Sequence, residues 1–422
     1  MSSTYLNAWR VAAIILVGLN LRPVLASVPP LLDRLQAAIA LSDSAAGLLT
    51  ALPVLVMGLG ALSVAPLRRM MREHHAIAVG VALVMAATAC RLWAHDANLM
   101  LLTGVIAGLG IAVTQALLPY TIKAQFSSGV SAIMGLYSTA IMGGAAVASV
   151  ASPVLAERVG WPQALAAWSV PAAAALLCWL LVYRLGAVAP LATDATKAAN
   201  AMNPTNATKA ANAMNPTKAT KATKATNAAG QPVTGHSHRW LLAVFFGLGT
   251  GAYTLVLAWL PPYYTALGWT PVSAGQLLGA VTVAEIVAGL LVSAAIGRLR
   301  DRRVALFTAI GLLTLGLLGL IFAPVLLAWP AAVLAGLGIG ALFPLSLIVT
   351  MDHASTPAQA GRLASFVQGV GYLIAALFPF VAGVIRQHLS GLRPAWMLMA
   401  GICLILFAIA ARLRPPHGNG KP

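Results

Sequence analysis

Arg22 follows Arg10 by about a dozen residues, inside the first long apolar run, in the stretch Gly18-Leu19-Asn20-Leu21-Arg22-Pro23. At about 1.5 Å of helical rise per residue, it lies about 18 Å into that run, past the middle of a ~30 Å hydrocarbon layer. A guanidinium at that depth costs at least ~2.5–3.5 kcal/mol. It must therefore face a cavity, a partner or an anion. Its planar fork suits small planar anions. Pro23 removes a backbone donor and tends to kink the helix at this point. That leaves a second reading, in which Arg22 is structural and bonds carbonyls freed by the proline.

Glu285 is the one acid deep in any apolar run, about a dozen residues from either end of its own. A carboxyl out of water takes up a proton readily and can carry it; the bland alternative is a static partner for Arg22 or Lys123. If Glu285 neutralises Arg22 in the empty site, its protonation would free Arg22 for an anion and couple the two in one direction. Gln115, Pro119 and Lys123 share one helix face by their four-residue spacing. Lys123 would attract an anion to the inner mouth, or would snorkel to the interface. Tyr137, Tyr253, Gln368 and Tyr372 could orient a small planar solute, or could bond between helices.

Other polar residues read more plainly. Arg91, near the outer end of its run, is expected to snorkel. His353, beside Asp352, reads as a solvated loop residue. His236 and His238 lack the further ligands a metal site needs. Cys90, Cys178 and Cys403 stand singly in apolar runs, without metal spacing, and read as packing residues. No metal or cofactor is expected. The chain has no His-Glu-x-x-His, no Gly-x-Ser-x-Gly and no Walker Gly-x-x-x-x-Gly-Lys-Ser/Thr, which argues against an embedded enzyme or a self-sufficient pump. Gly247-Leu-Gly-Thr-Gly251 and Gly336-x-Gly-x-Gly340 lie in apolar runs with no strand before them. They read, like Gly104-x-x-x-Gly108 and Gly143-Gly144, as close helix packing rather than dinucleotide loops.

The elements that hold these residues follow from composition. The chain is 60% hydrophobic and 8% charged, where a soluble domain carries about 25% charged residues. Twelve apolar runs fall at about 9–30, 45–66, 76–94, 98–122, 131–155, 163–183, 240–263, 272–296, 304–323, 326–350, 363–385 and 394–411. The expectation is an all-α membrane protein. The first run has no small-residue cleavage site after it, so it reads as a span rather than a signal peptide.

The net charge of +17 sits mainly in short segments between runs and reads as topology, not as nucleic-acid binding. With the N-terminus and the even-numbered loops inside, the outer side keeps only Arg34, Arg158, Arg386 and Arg393. Both termini are then expected in the cytoplasm. Residues 185–238 break the pattern: Ala195–Asn206 reads ATKAANAMNPTN and Ala207–Lys218 repeats it as ATKAANAMNPTK. Such a tract has too little bulky apolar surface to repay ordering and reads as a disordered cytoplasmic linker. It divides the chain into 1–184, 185–238 and 239–422.

The two halves echo each other. Gly108-Leu-Gly-Ile111 matches Gly336-Leu-Gly-Ile339, Val28-Pro-Pro-Leu-Leu32 resembles Leu260-Pro-Pro-Tyr-Tyr264, and Ser44-Ala45 recurs as Ser273-Ala274. Arg68-Arg69 and Arg298–Arg303 both follow the second run of their half, and all four matches share nearly one offset. Parallel six-helix repeats with a site between them are the signature of the major facilitator architecture.

Several stretches carry a closer resemblance: Asn20-Leu-Arg-Pro23, Leu118-Pro119, Gly135-Leu-Tyr137, Trp161 with Trp168, Ala258-Trp-Leu-Pro-Pro262 and Ser365-Phe-Val-Gln-Gly-Val-Gly-Tyr372. They resemble the cyanate permease and 2-nitroimidazole transporter branch of the major facilitator superfamily, over nearly all the chain outside 185–238. The loop with Gly297, Asp301 and Arg302 is similar to the superfamily's Gly-x-x-x-Asp-Arg motif; its first-half counterpart near Pro66–Glu73 is degenerate.

The resemblance implies two pseudo-symmetric six-helix bundles and a monomer in a bacterial-type inner membrane. The expected partners are a small solute, protons and lipid. The implied function is secondary transport of a small anion or planar heterocycle by alternating access, with proton coupling. An efflux carrier of the same fold with a structural Arg22 is the alternative. A non-transporting sensor would be expected to carry a folded signalling domain, and the only long loop is low-complexity.

Overall fold

The computed structural model describes residues 3–63, 72–126, 129–184, 236–296, 301–354, 356–389 and 391–413. Gly297, Arg68, Arg69 and nearly all of the repeat tract lie outside them. Among the described residues there is no strand, and twelve helical spans are long and apolar enough to cross a membrane. We number them 1 to 12: Asn7–Ile39, Asp43–Leu62, Glu73–Trp93, Ala97–Gln125, Ala132–Val159, Trp161–Val182, His238–Ala266, Pro271–Ala295, Arg302–Phe322, Ala328–Asp352, Gln359–Leu389 and Arg393–Arg412.

In lipid every backbone polar group needs an internal partner. The span starts supply several from side chains. Ser42 accepts from the Ala45 amide at 3.2 Å, Asp96 from Leu99 at 2.8 Å and Thr270 from Ser273 at 3.1 Å.

Span 1 is not the single kinked helix expected of residues 9–30. Its first helix stops at Asn20. A short helix Pro23–Ala26, a 3-10 turn Pro29–Leu31 and a helix Leu32–Ile39 follow. The cause is local: Pro23, Pro29 and Pro30 withhold three amides within eight residues. Spans 3, 6 and 11 are also interrupted, near Arg91, Ala167 and Ala376.

Span 1 packs on spans 5 and 6, span 4 on spans 2 and 3, and span 3 on span 6. In the second half, span 7 packs on span 11, and span 10 on spans 8 and 9. The halves meet along spans 2 and 11 and along spans 5 and 8. Exchanging the halves maps one of these seams onto the other, as a two-fold pseudo-repeat requires.

At one end of the molecule the halves are drawn together. The Pro29–Leu31 turn touches spans 5, 7 and 8. Within the second half, at this end, Trp259 Nε1 donates to the Pro379 carbonyl at 2.8 Å. Arg386, at the end of span 11, lies 3.6 Å from Asp33 and 3.5 Å from Asp43 of the other half and stacks over Trp259. Thr265 donates a hydrogen bond to Asp33.

Candidate functional site

A cavity of about 890 Å³ lies between the halves. Its lining runs from Arg22 and Tyr253 at mid-depth to Lys123, Val130, Ser293 and Ser365 at the span ends away from the Arg386 cluster. Gln115, Pro119 and Lys123 all line it, as their shared face requires. Lys123 is exposed at this end.

Arg22 is carried in by the break in span 1. Span 5 approaches so closely that a Cβ on Gly144 would fall on the Leu19 carbonyl. Arg22 is 5% exposed. Its Nη1 donates to the Tyr253 hydroxyl at 3.4 Å, and its guanidinium carbon sits 5.3 Å from that ring's centroid. Its Nε has no partner among the described side chains and backbone.

Glu285 faces the cavity from span 8 and is 6% exposed. Its Oε2 is buried without a hydrogen-bond partner among the described residues. Gly340 of span 10 makes this position possible, because a Cβ there would fall on the Glu285 backbone. Tyr137, Gln368 and Tyr372 line the same cavity, and the Tyr137 hydroxyl is buried with no partner among the described residues. Tyr372 stands edge-on to Phe246 at 5.5 Å, and Phe246 meets Phe343 at 5.6 Å. These phenylalanines give the cavity an aromatic wall that the search for polar groups in apolar runs passes over.

Asp301 and Arg302 lie away from the cavity. Asp301 accepts from the Arg303 amide at 2.9 Å and pairs with its guanidinium at 2.8 Å. That pairing holds the Asp301 carboxyl below the usual carboxylate range. Arg302 meets Asp352 at the end of span 10, at 3.3 Å.

Three sequence readings need correction. Arg91 does not snorkel: it is 1% exposed, with Nη1 donating to the Val24 carbonyl at 2.7 Å and Nε to Thr103 at 3.3 Å. His353 is not a solvated loop residue. It closes span 10 by bonding the Val349 carbonyl at 2.7 Å and lies 4.7 Å from the His238 ring. Cys403 is buried as a packing residue, whereas Cys90 is exposed.

Two six-helix bundles facing each other across a cavity open at one end form the architecture of a secondary membrane carrier. The chain belongs to the Major Facilitator Superfamily, whose family model matches residues 11–379. The cyanate transport protein CynX of Escherichia coli (strain K12) is 34% identical over 404 residues, 95% of this chain and 96% of that one. The 2-nitroimidazole transporter of the same organism is 29% identical over 405 residues, 93% of this chain and 94% of that one. The protein belongs to the branch that holds these two. Solved structures share the fold. A D-xylose–proton symporter superposes with a TM-score of 0.73 at 14% identity, covering 99% of this chain and 100% of that one. A bacterial homologue of the human lysosomal transporter Spinster gives 0.69 at 14% identity, with 96% of each chain covered.

Proposed function

We propose that this protein moves a small anion or a planar heterocycle, cyanate-like or nitroimidazole-like, across a bacterial inner membrane by alternating access, with proton coupling. The observation that carries the reading is Arg22, a buried guanidinium at the base of an open cavity with its Nε unpaired. A cation so placed, with no carboxylate within ion-pair distance among the described residues, is set to receive an anionic group from a solute. Cyanate, the solute named for one of the two Escherichia coli relatives, is such an anion, and the 2-nitroimidazole named for the other is a planar neutral solute that the tyrosines and Gln368 would orient.

In this reading Arg22 binds the anionic edge of the solute, and Tyr253, Tyr137, Gln368 and Tyr372 orient it. Glu285 carries the proton, and Lys123 draws anions to the mouth. Residues 1–184 and 239–422 act as two bundles joined by a cytoplasmic linker over 185–238. Both termini are cytoplasmic, so the open mouth faces inward and the Arg386 cluster faces out. The loop with Gly297, Asp301 and Arg302 serves the conformational change. A purely structural Arg22 is less favoured, because its hydrogen bond among the described residues goes to the Tyr253 hydroxyl in the cavity and not to a carbonyl freed by Pro23.

The test uses purified protein in proteoliposomes under an imposed inward proton gradient. Internal pH is followed as cyanate, other small anions and nitroimidazoles are added. Substrate-dependent acidification that Arg22→Ala and Glu285→Gln both abolish supports the reading. Undiminished flux in Arg22→Ala sinks the anion-ligand role, and alkalinisation replaces symport by exchange.

A further inference from the structure

Arg91 is close enough to the end of span 3 to reach polar surroundings, yet it points into the protein and is fully buried. Among the described residues it has no carboxylate within ion-pair distance. A lone guanidinium out of water is expensive to keep, so its contacts have to account for it. Those contacts converge on the break in span 1. Pro23 and Ser27 are tied by the Ser27 amide, and Val28 and Leu31 by the Leu31 amide. Within the first of these turns lies the Val24 carbonyl, which takes the Arg91 Nη1 donor at 2.7 Å. Arg91 Nε is held by Thr103 at 3.3 Å, and Thr103 in turn donates to the Met100 carbonyl at 2.7 Å, so the clamp is anchored on span 4.

Val24 is two residues beyond Arg22. On the other side of Arg22, span 5 is pressed against the backbone of Leu19 at Gly144, and Gly18 lies against the Tyr137 ring. The segment that carries Arg22 is therefore gripped from both directions, by backbone contact before it and by a charged side chain after it. We infer that Arg91 is the positioning residue for Arg22: it fixes the proline-broken segment so that the Arg22 guanidinium stays aligned with Tyr253 and Tyr137. This rests on the reading of Arg22 as the solute's ligand. Arg91 itself does not line the central cavity. A lysine could hold one of the two contacts; the planar fork holds both.

Two measurements separate this role from general support of the fold. The first is hydrogen exchange of the full chain in lipid nanodiscs, for wild type, Arg91→Lys and Arg91→Gln. Arg91→Gln is expected to raise exchange about tenfold in peptides covering residues 18–31, with the other spans and the thermal midpoint unchanged and Arg91→Lys intermediate. No rise at 18–31, or an equal rise throughout, overturns the inference. The second is a double-mutant cycle on cyanate and 2-nitroimidazole uptake in proteoliposomes. Arg91→Gln is expected to raise KM about tenfold with the maximal rate kept, and to add nothing in an Arg22→Lys background. Effects that multiply in the double variant overturn it. If the wild-type protein moves neither solute, it is the transport reading that fails, and the exchange result alone decides whether Arg91 holds the segment.

Discussion

Arg22 and Glu285 face one cavity from opposite halves of the molecule without forming an ion pair. Each keeps a buried polar atom free: Nε on the arginine, Oε2 on the glutamate. A neutralising pair between them, the simplest expectation for a lone acid and a lone base in lipid, is not present in this state. Glu285→Gln should therefore leave the fold intact, with a thermal midpoint within a degree or two of wild type, since no charge pair is lost. Substrate-driven acidification should vanish in the same variant. A large drop in melting temperature would mean that the carboxylate is structural.

The Arg22 fork can be tested apart from its charge. Arg22→Lys keeps a cation but presents a point charge instead of two parallel donors. Apparent KM for a planar anion should rise about tenfold, equivalent to about 1.4 kcal/mol, while a neutral nitroimidazole is affected less. Equal losses for both solutes would count against anion recognition.

The Tyr253 hydroxyl accepts a hydrogen bond from Arg22 Nη1, and the Tyr253 ring lies beneath the guanidinium. Tyr253→Phe removes the first contact and keeps the second. The loss of about 0.5–1.5 kcal/mol expected for one hydrogen bond corresponds to a few-fold weaker uptake, read as KM in the same vesicles. An unchanged KM would assign the tyrosine to packing alone.

Gly340 allows span 10 to touch the backbone of Glu285. Gly340→Ala inserts a methyl group where only backbone fits, and overpacking of this kind costs about 1–3 kcal/mol. A thermal shift assay should show a midpoint lowered by several degrees, and uptake should fall with it. Wild-type behaviour would mean that spans 8 and 10 separate at little cost.

Arg386 joins Asp33 and Asp43 across the closed end. Spin labels at Ala38→Cys and Leu389→Cys, in a background freed of Cys90, Cys178 and Cys403, report on that end. Arg386→Ala should add a longer distance to the population, because single surface-accessible pairs are worth little but several on one guanidinium hold two halves together. An unaltered distance distribution would place the closure in the apolar contacts instead.

Much of this architecture could be read from the chain. Twelve spans follow from hydropathy, and the repeats across 185–238 announce two halves. Arg22 and Glu285 stand out because charges inside long apolar runs are rare. Arg91 is harder to place for a physical reason. A cation near a span end can snorkel or turn inward, and its partner carbonyl sits 67 residues earlier, in a proline break whose geometry the pattern of apolar residues does not encode. Arg386 counted only as an outer charge, because its carboxylate partners lie in the other half of the chain. His353 reads as a loop residue because hydropathy ends span 10 at about 350, two residues short of its end at Asp352.

The size of the cavity sets where selection happens. A space of about 890 Å³ holds on the order of tens of water molecules, each taking about 30 Å³, and a triatomic anion would displace only one or two of them. On the proposed reading such a solute would meet Arg22 in the open state while still mostly hydrated, so many anions should reach it with similar, weak affinity. Discrimination would fall on the squeeze that follows, when the walls approach and water must leave. A solute that exchanges its hydration shell for the Arg22 fork, the tyrosine hydroxyls and the aromatic wall lets the cavity shrink; one that cannot holds it open. Half-saturation in the open form would then be a poor guide to what is carried, and the turnover number the better one.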